Sequence, residues 1–233
     1  MKIVVSPNPY RDKQFKNARQ ACSILREAGA EVALCLPFDV DKTFEIPHDL
    51  RFQDIQKEIK TADMLICFGG DGTILHSSKI ATEHNLPILG VNIGTMGFIA
   101  ELESGEIELL RKIPKGEYTV EERTMLDVSV GNGRQTIFHE TALNDAVIHK
   151  VVQLGIYCDG VEATSYSGDG VILCTPTGST AYSMSAGGPI VEPSAKNFLI
   201  TPICAHAMLA KSIVVAPSRV VTVKVGKIGR HNA

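Results

Sequence analysis

Asp63-Met64-Leu65-Ile66-Cys67-Phe68 runs directly into Gly69-Gly70-Asp71-Gly72-Thr73, after which Ile74, Leu75, Ser78 and Ala81 recur at helical spacing. A short apolar run closed by turn residues reads as a buried strand, and the recurrence after it reads as one face of a helix. A strand feeding a helix through a glycine-rich turn is the unit of a parallel α/β sheet, and ligands collect where such strands end. Three glycines remove β-carbons and tolerate positive φ, so backbone N–H groups can approach a phosphate closely. The helix N-terminus adds partial positive charge, and Thr73 is placed to cap it.

Asp71 is the odd member of this group. A carboxylate in a phosphate cradle repels its ligand. It makes sense if a cation bridges the charges, or if the carboxylate takes a proton from a hydroxyl. Both tasks belong to phosphoryl transfer, where positioning and charge neutralisation supply most of the rate. An aspartate in an ordinary capping turn is the plain alternative. Neither GxxxxGK[ST] nor GxGxxG occurs, which argues against a P-loop NTPase and a dehydrogenase-type dinucleotide fold.

Outward from this stretch, strand-like runs at 2–5, 31–36 and 87–91 alternate with helical patterns. One helix carries Phe15, Ala18, Cys22 and Leu25 and stops at Gly29; a short one covers 53–60. Residues 1–97 are therefore expected to form an α/β domain with an open, mainly parallel sheet. From 98 to 233 the pattern changes to consecutive β-rich segments at 125–130, 136–139, 146–148, 154–158, 171–174, 213–215 and 220–225. Only 178–186 resembles a helix there, and Asn132-Gly133 and Asp159-Gly160 are tight-turn candidates. These features predict a C-terminal all-β, sandwich-like domain. The chain stops at Gly229-Arg230-His231-Asn232-Ala233 without a closing element, so the natural C-terminus is read as incomplete.

A formal charge of −3 gives no basic surface for nucleic acid or anionic membranes. No apolar run approaches the ~20 residues of a membrane span, and the N-terminus is too short for a secretory signal. Six cysteines are scattered without CxxC or CxxH, and the seven histidines form no HExxH. Reduced, buried thiols in a cytoplasmic protein are the expectation, and any metal should be a hard cation held by oxygens and substrate phosphates.

Two further clusters carry polar chemistry. Gly168-Asp169-Gly170 precedes an apolar strand, which leads into Thr175-Pro176-Thr177-Gly178-Ser179-Thr180-Ala181-Tyr182-Ser183-Met184-Ser185-Ala186-Gly187-Gly188-Pro189-Ile190. Such a crowd of hydroxyls around a turn suits a polar ligand with a ring for Tyr182 to pack on; a hydroxyl-rich capping turn is the alternative. Asn144-Asp145 pairs an amide with a carboxylate, a set that can hold base edges or vicinal sugar hydroxyls, although an exposed turn explains the pair equally simply.

Together with Asn92-Ile93-Gly94-Thr95-Met96-Gly97-Phe98, Leu143-Asn144-Asp145 and Ile200-Thr201-Pro202-Ile203-Cys204, these clusters resemble the NAD kinase family across nearly the whole chain. GGDGT alone is less specific, being shared by diacylglycerol and sphingosine kinases, with a close variant in phosphofructokinases. The resemblance implies an α/β domain, a β-sandwich-like domain, and NAD bound in the cleft that family members form between them. It implies transfer of a phosphoryl group from ATP, with Mg²⁺ or another divalent cation on the donor phosphates and inorganic polyphosphate as an alternative donor. The acceptor is the 2′-hydroxyl of the adenosine ribose. Asp71 matches the family's proton acceptor, and Gly69, Gly70, Gly72 and Thr73 match the phosphate loop. Asn144 and Asp145 match an Asn-Glu pair on the adenosine, and Asp169 the acid on the nicotinamide carboxamide. Thr180, Ala181, Tyr182 and Ser185 match base and ribose contacts, Phe98 an aromatic wall, and His76 and Ser167 positions that often touch nucleotide. The family tends to form homodimers and homotetramers. Asp145 stands where Glu is usual, and 203–208 departs from Ile-Cys-Pro-His-Ser-Leu. The competing readings are a lipid kinase on the same cradle and a non-catalytic NAD-binding sensor.

Overall fold

Buried β-branched and aromatic strands set the architecture. In the computed structural model, which describes residues 1–94, 97–205 and 211–226, the chain divides into two units, Met1–Val120 and Glu121–Ala233. Thr95 and Met96 of the Asn92–Phe98 motif, His206, Ala207 and Met208, and the 229–233 tail lie outside the described residues.

The first unit runs β1 (Lys2–Pro7), a 3-10 turn Lys13–Phe15, α1 (Lys16–Glu27), β2 (Glu31–Leu34), α2 (Ile55–Glu58), β3 (Met64–Gly69), α3 (Asp71–Glu83), β4 (Ile88–Asn92), β5 (Leu102–Glu103) and a 3-10 helix Ser104–Lys115. The strands pair in parallel in the order β2-β1-β3-β4-β5. The strand order reverses between β1 and β3, and a doubly wound sheet opens a ligand crevice at the carboxyl ends of those strands. Leu65, Ile66, Cys67 and Phe68 of β3 are fully buried because helices cover both faces of a parallel sheet. Each such side chain contributes about 1.5–3 kcal/mol of burial.

Two details differ from the sequence-based expectation. Phe15 is not a helical residue: it follows Gln14 in the left-handed region, with φ of 54° and 56°. That backbone costs roughly 1–2 kcal/mol per residue, offset by complete burial of the Phe15 ring against Phe44 and Phe52. The second concerns residues 98–120, which belong to the first unit rather than to the β domain. Ile107, Leu110 and Ile113 of the 3-10 helix join Phe15, Leu25 and Phe68 in one core cluster. Their spacing of three matches a 3-10 helix, with three residues per turn, and escapes a search for period 3.6.

The second unit contains β6 (Leu126–Gly131), β7 (Thr136–Ala142), β8 (Asp145–Cys158), β9 (Val161–Cys174), a 3-10 turn Thr177–Thr180, α3's four-residue successor α4 (Tyr182–Ser185), β10 (Phe198–Ile203), β11 (Ile213–Val215) and β12 (Val221–Val225). An antiparallel sheet of order β11-β10-β9-β8-β12 lies with a separate β6-β7 ribbon. Both expected turns are present. Asn132 Oδ1 accepts the amides of Arg134 and Gln135, and Asp159 and Gly160 have φ of 49° and 82°, the paired positive values of a type I′ hairpin. The segments 146–148 and 154–158 are one strand, not two. β10 and the first half of β9 were not expected as strands, because Pro202 and the Thr164-Ser165-Tyr166-Ser167-Gly168 run lack a clean strand signature. The 178–186 helix is a 3-10 turn followed by the single turn α4.

Candidate active site

The loops after β1 and β3 flank the reversal in strand order and together line a cavity of about 300 Å³. Its walls are Asn8, Arg11, Phe38, Gly70, Asp71, Gly72, Thr73 and Gly97. That volume is at the low end of the ~300–1,000 Å³ of small-molecule sites, enough for part of a nucleotide. Asn8 ties the two loops together: its amide N–H donates to the Phe68 carbonyl at 2.8 Å, and its side-chain Nδ2 donates to Thr73 Oγ1 at 2.9 Å. Thr73 therefore does not cap α3. Gly70 occupies that position without a side-chain bond, and Thr73 packs inward. A β-carbon on Gly69 would sit 2.3 Å from Thr73 Oγ1, so the glycine makes room for the hydroxyl.

Asp71 opens α3, where the first amides of a helix lack intrahelical acceptors and favour anions. Its carboxylate accepts the amide of Phe98 on Oδ2 at 3.0 Å and that of Ile99 on Oδ1 at 3.2 Å. Gly97 lies immediately beneath: a β-carbon there would be 2.1 Å from Asp71 Oδ1. Two amide bonds fix the orientation of the carboxylate and leave it lone pairs for a further donor. Phe98 itself is 67% exposed, so its amide orients Asp71 while its ring is open to a ligand. His76 does not reach the cavity wall directly. Its Nε2 bonds the Pro37 carbonyl at 2.9 Å, and its ring meets Phe38 edge-on at 5.6 Å. His76 thus holds Phe38, which lines the cavity.

In the second unit, the Asn144-Asp145 pair and the hydroxyl-rich turn are stitched together. Thr175 donates its amide to the Asn144 carbonyl at 2.9 Å and its hydroxyl to the Leu143 carbonyl, and its Oγ1 accepts the Gly178 amide at 3.0 Å. A β-carbon on Gly178 would lie 2.1 Å from the Asn144 carbonyl oxygen, so only glycine permits this crossing. Buried Asn144 Oδ1 and Thr177 Oγ1 have no hydrogen-bond partner among the described residues. Unpaired buried polar atoms cost about 1–3 kcal/mol each, a cost that a polar ligand relieves. Burial pushes the Asp145 carboxyl above the ordinary aspartate value. Thr180 donates to the Thr177 carbonyl at 3.3 Å, whereas Tyr182 and Ser185 of α4 are exposed and Ala181 half-buried. Buried Ser183 instead bonds Thr201 at 2.8 Å, fastening α4 to β10.

Ser167 and Asp169 lie further back along β9. His149 pairs with Gly170 and Val152 with Gly168, so two residues of β8 oppose Asp169 in a bulge. The extra residue therefore lies in β8, and Asp169 is the single β9 residue opposite the bulge. Gly168 allows a close crossing: its β-carbon would lie 2.9 Å from Ala205 Cα and 3.1 Å from the Cys204 carbonyl oxygen. Exposed Cys204 has φ of 44° at that crossing. Asp169 is five residues from Cys174, the partner of Asp145, a span of roughly 16 Å at ~3.3 Å per residue. An extended ligand could meet both.

The sequence reading missed Asn8, Arg11, Phe38 and the steric role of Gly97. Neither Asn8 nor Arg11 belongs to a motif of the sequence. Their signal is the strand order, which seats the β1 loop beside the loop of β3.

A doubly wound sheet with a glycine cradle and an amide-held carboxylate at its reversal defines a nucleotide-directed phosphotransferase scaffold, joined here to an antiparallel β unit. Residues 3–118 match the ATP-NAD kinase N-terminal domain and residues 139–233 the ATP-NAD kinase C-terminal domain. The NAD kinase of Acetivibrio thermocellus is 34% identical, over 100% of this chain and 81% of its own. That of Caldanaerobacter subterraneus is 37% identical, over 97% and 81%. Among solved structures, yeast NADH kinase complexed with NADH superposes with a TM-score of 0.82 at 27% identity, over 97% of this chain and 72% of that one. An NAD kinase from Archaeoglobus fulgidus in complex with ATP gives 0.70 at 27%, over 97% and 81%. The chain belongs to the NAD kinase family.

Proposed function

We infer that this chain phosphorylates the adenosine ribose 2′-hydroxyl of NAD with ATP, giving NADP. The observation that carries the reading is the Asp71 carboxylate, held by two backbone amides at the mouth of a glycine cradle. A ribose hydroxyl is too weak an acid to ionise beforehand. Asp71 therefore takes the proton as the oxygen bonds to phosphorus, a contribution of about 10²–10⁴ in rate. The α3 N-terminus and the glycine loop bind the donor phosphates. Asn144 and Asp145 hold the adenosine side of NAD, with Thr180, Ala181, Tyr182 and Ser185 beside it and Asp169 on the carboxamide. The unpaired Asn144 Oδ1 supports that assignment.

A divalent cation such as Mg²⁺ fits the residues present. Asp71 is the one carboxylate lining the cavity, and the described residues hold no cluster of three or more His, Cys, Asp or Glu. A magnesium ion that takes most of its ligands from substrate phosphates and water suits such a site. When bound, it offsets the negative charge of the donor. No described helix is long and apolar enough to cross a membrane. A cytoplasmic location and a homodimeric or homotetrameric state complete the reading, the first supported by six free thiols. The polar Thr175–Ser185 segment disfavours a lipid acceptor.

Incubation with ATP, Mg²⁺ and NAD should yield NADP, and Asp71→Asn should lose about 10²–10⁴ of kcat with NAD affinity preserved. Equal loss of binding and rate would remove the proton-acceptor role. Tight NAD binding without turnover would establish a sensor. Replacing ATP by inorganic polyphosphate reads the donor range in the same assay.

A further inference from the structure

The cavity around Asp71 contains one side chain with no part in the chemistry derived so far. Arg11 is the sole cation among its lining residues, and Asp71 the sole anion. The Arg11 guanidinium makes no hydrogen bond or ion pair with any described residue. Arg19 pairs with Asp49 and Arg111 with Glu27 and Glu108, whereas Arg51, also without a partner among the described residues, does not line the cavity.

Arg11 is exposed, but the backbone that carries it is fixed. The Arg11 and Asp12 amides donate to the Asn8 carbonyl at 3.1 and 2.9 Å, and Asn8 Oδ1 accepts the Tyr10 amide at 3.0 Å. Buried Asp12 then anchors the loop to α1 by accepting the amides of Asn17 and Ala18 at 3.0 and 2.9 Å. The guanidinium rests on the loop after β4. Its Nη1 lies 3.2 Å from where a β-carbon of Gly94 would sit, and Gly94 has φ of 115°, a conformation open to glycine. A rigid loop thus carries an unpaired fork of N–H donors beside the cradle.

We propose that Arg11 binds the terminal phosphate of the phosphoryl donor, whose class is a triphosphate chain, free or attached to a nucleoside. This rests on the phosphotransferase reading of the same cavity. An incoming phosphate meets the negative charge of Asp71, and a guanidinium in the same small cavity compensates it. The planar fork grips two phosphate oxygens at once, which a lysine ammonium cannot do. Arg11 is a donor-binding residue, and it also sets the terminal phosphate in register with Asp71.

The test is titration calorimetry of the full chain with Mg·ATP, with Mg·tripolyphosphate and with NAD, alongside steady-state NADP formation. Arg11→Ala should weaken both ATP and tripolyphosphate by about 10- to 100-fold, with NAD affinity within twofold. Arg11→Lys should recover part of the loss. Unchanged affinity for both donors in a folded Arg11→Ala protein overturns the proposal, as does an equal loss for NAD. Loss for ATP with tripolyphosphate unchanged assigns Arg11 to the nucleoside and also overturns it. Should the wild type bind tripolyphosphate through Arg11 yet form no NADP, the phosphate site stands and the kinase reading falls.

Discussion

Replacing Gly97 by alanine puts the orientation of Asp71 to a direct test. The added methyl would meet Asp71 Oδ1 at 2.1 Å, Cγ at 2.7 Å and Oδ2 at 3.0 Å. Non-bonded heavy atoms settle near 3.5–4.0 Å, so the carboxylate or the 97–99 backbone must move by roughly 1 Å or more. Either movement breaks one or both amide bonds from Phe98 and Ile99. A lost hydrogen bond to a charged group is worth about 1.5–3 kcal/mol, reduced here because Asp71 is half-exposed and water can replace the amide. Stability should therefore fall little, whereas a 1 Å misplacement of a reacting group costs about 10²-fold in rate. The assay is NADP formation coupled to an NADP-specific dehydrogenase, with NAD affinity measured separately. kcat should drop about 10²-fold while NAD binding changes by less than about threefold. Gly105→Ala is the control: no atom lies within 4 Å of its added methyl, and activity should match the wild type. A Gly97→Ala enzyme with kcat within twofold of the wild type would refute the claim that these amides aim the carboxylate.

Three further outcomes are expected. Asp169→Ala should weaken NAD about 10-fold or more, leaving ATP affinity unchanged; equal losses by calorimetry would move Asp169 off the nicotinamide. Gly178→Ala forces a methyl to 2.1 Å from the Asn144 carbonyl oxygen. Because backbone must yield, it should cost about 1–3 kcal/mol, seen as a lower Tm together with weaker NAD binding. Asp145 is raised above the usual aspartate value by burial, so its folded state holds a proton more tightly than the unfolded state. Its ionisation then costs stability above the raised value, and that cost disappears as pH falls through it. Asp145→Asn should raise Tm at neutral pH, flatten the acid-side dependence of Tm, and weaken NAD binding.

The first sheet was legible because β1, β2, β3 and β4 are apolar runs separated by helical periodicity. The cradle was legible for a related reason: glycine has few other uses between a strand and a helix. What stayed hidden has physical causes as well. Ile107, Leu110 and Ile113 repeat every three residues, so the 3-10 helix and the true end of the first unit at Val120 went unseen. β9 reads as polar over Thr164-Ser165-Tyr166-Ser167 because alternate residues face outward there, and its partner β8 bulges opposite Asp169. Asn8 and Arg11 join the site only through strand order, which no local window contains. The stitching of Asn144 to Gly178 is likewise a contact between distant segments, and only the glycine hints at it.

The thiols offer a practical handle. Burial pushes Cys22 up to about 11 and Cys35 and Cys67 up to about 12, and Cys174 is raised by the same cause. Cys204 alone is exposed, on the crossing that covers Gly168, one residue from Asp169. A maleimide fluorophore should attach there first, placing an optical reporter beside Asp169 without any engineered mutation.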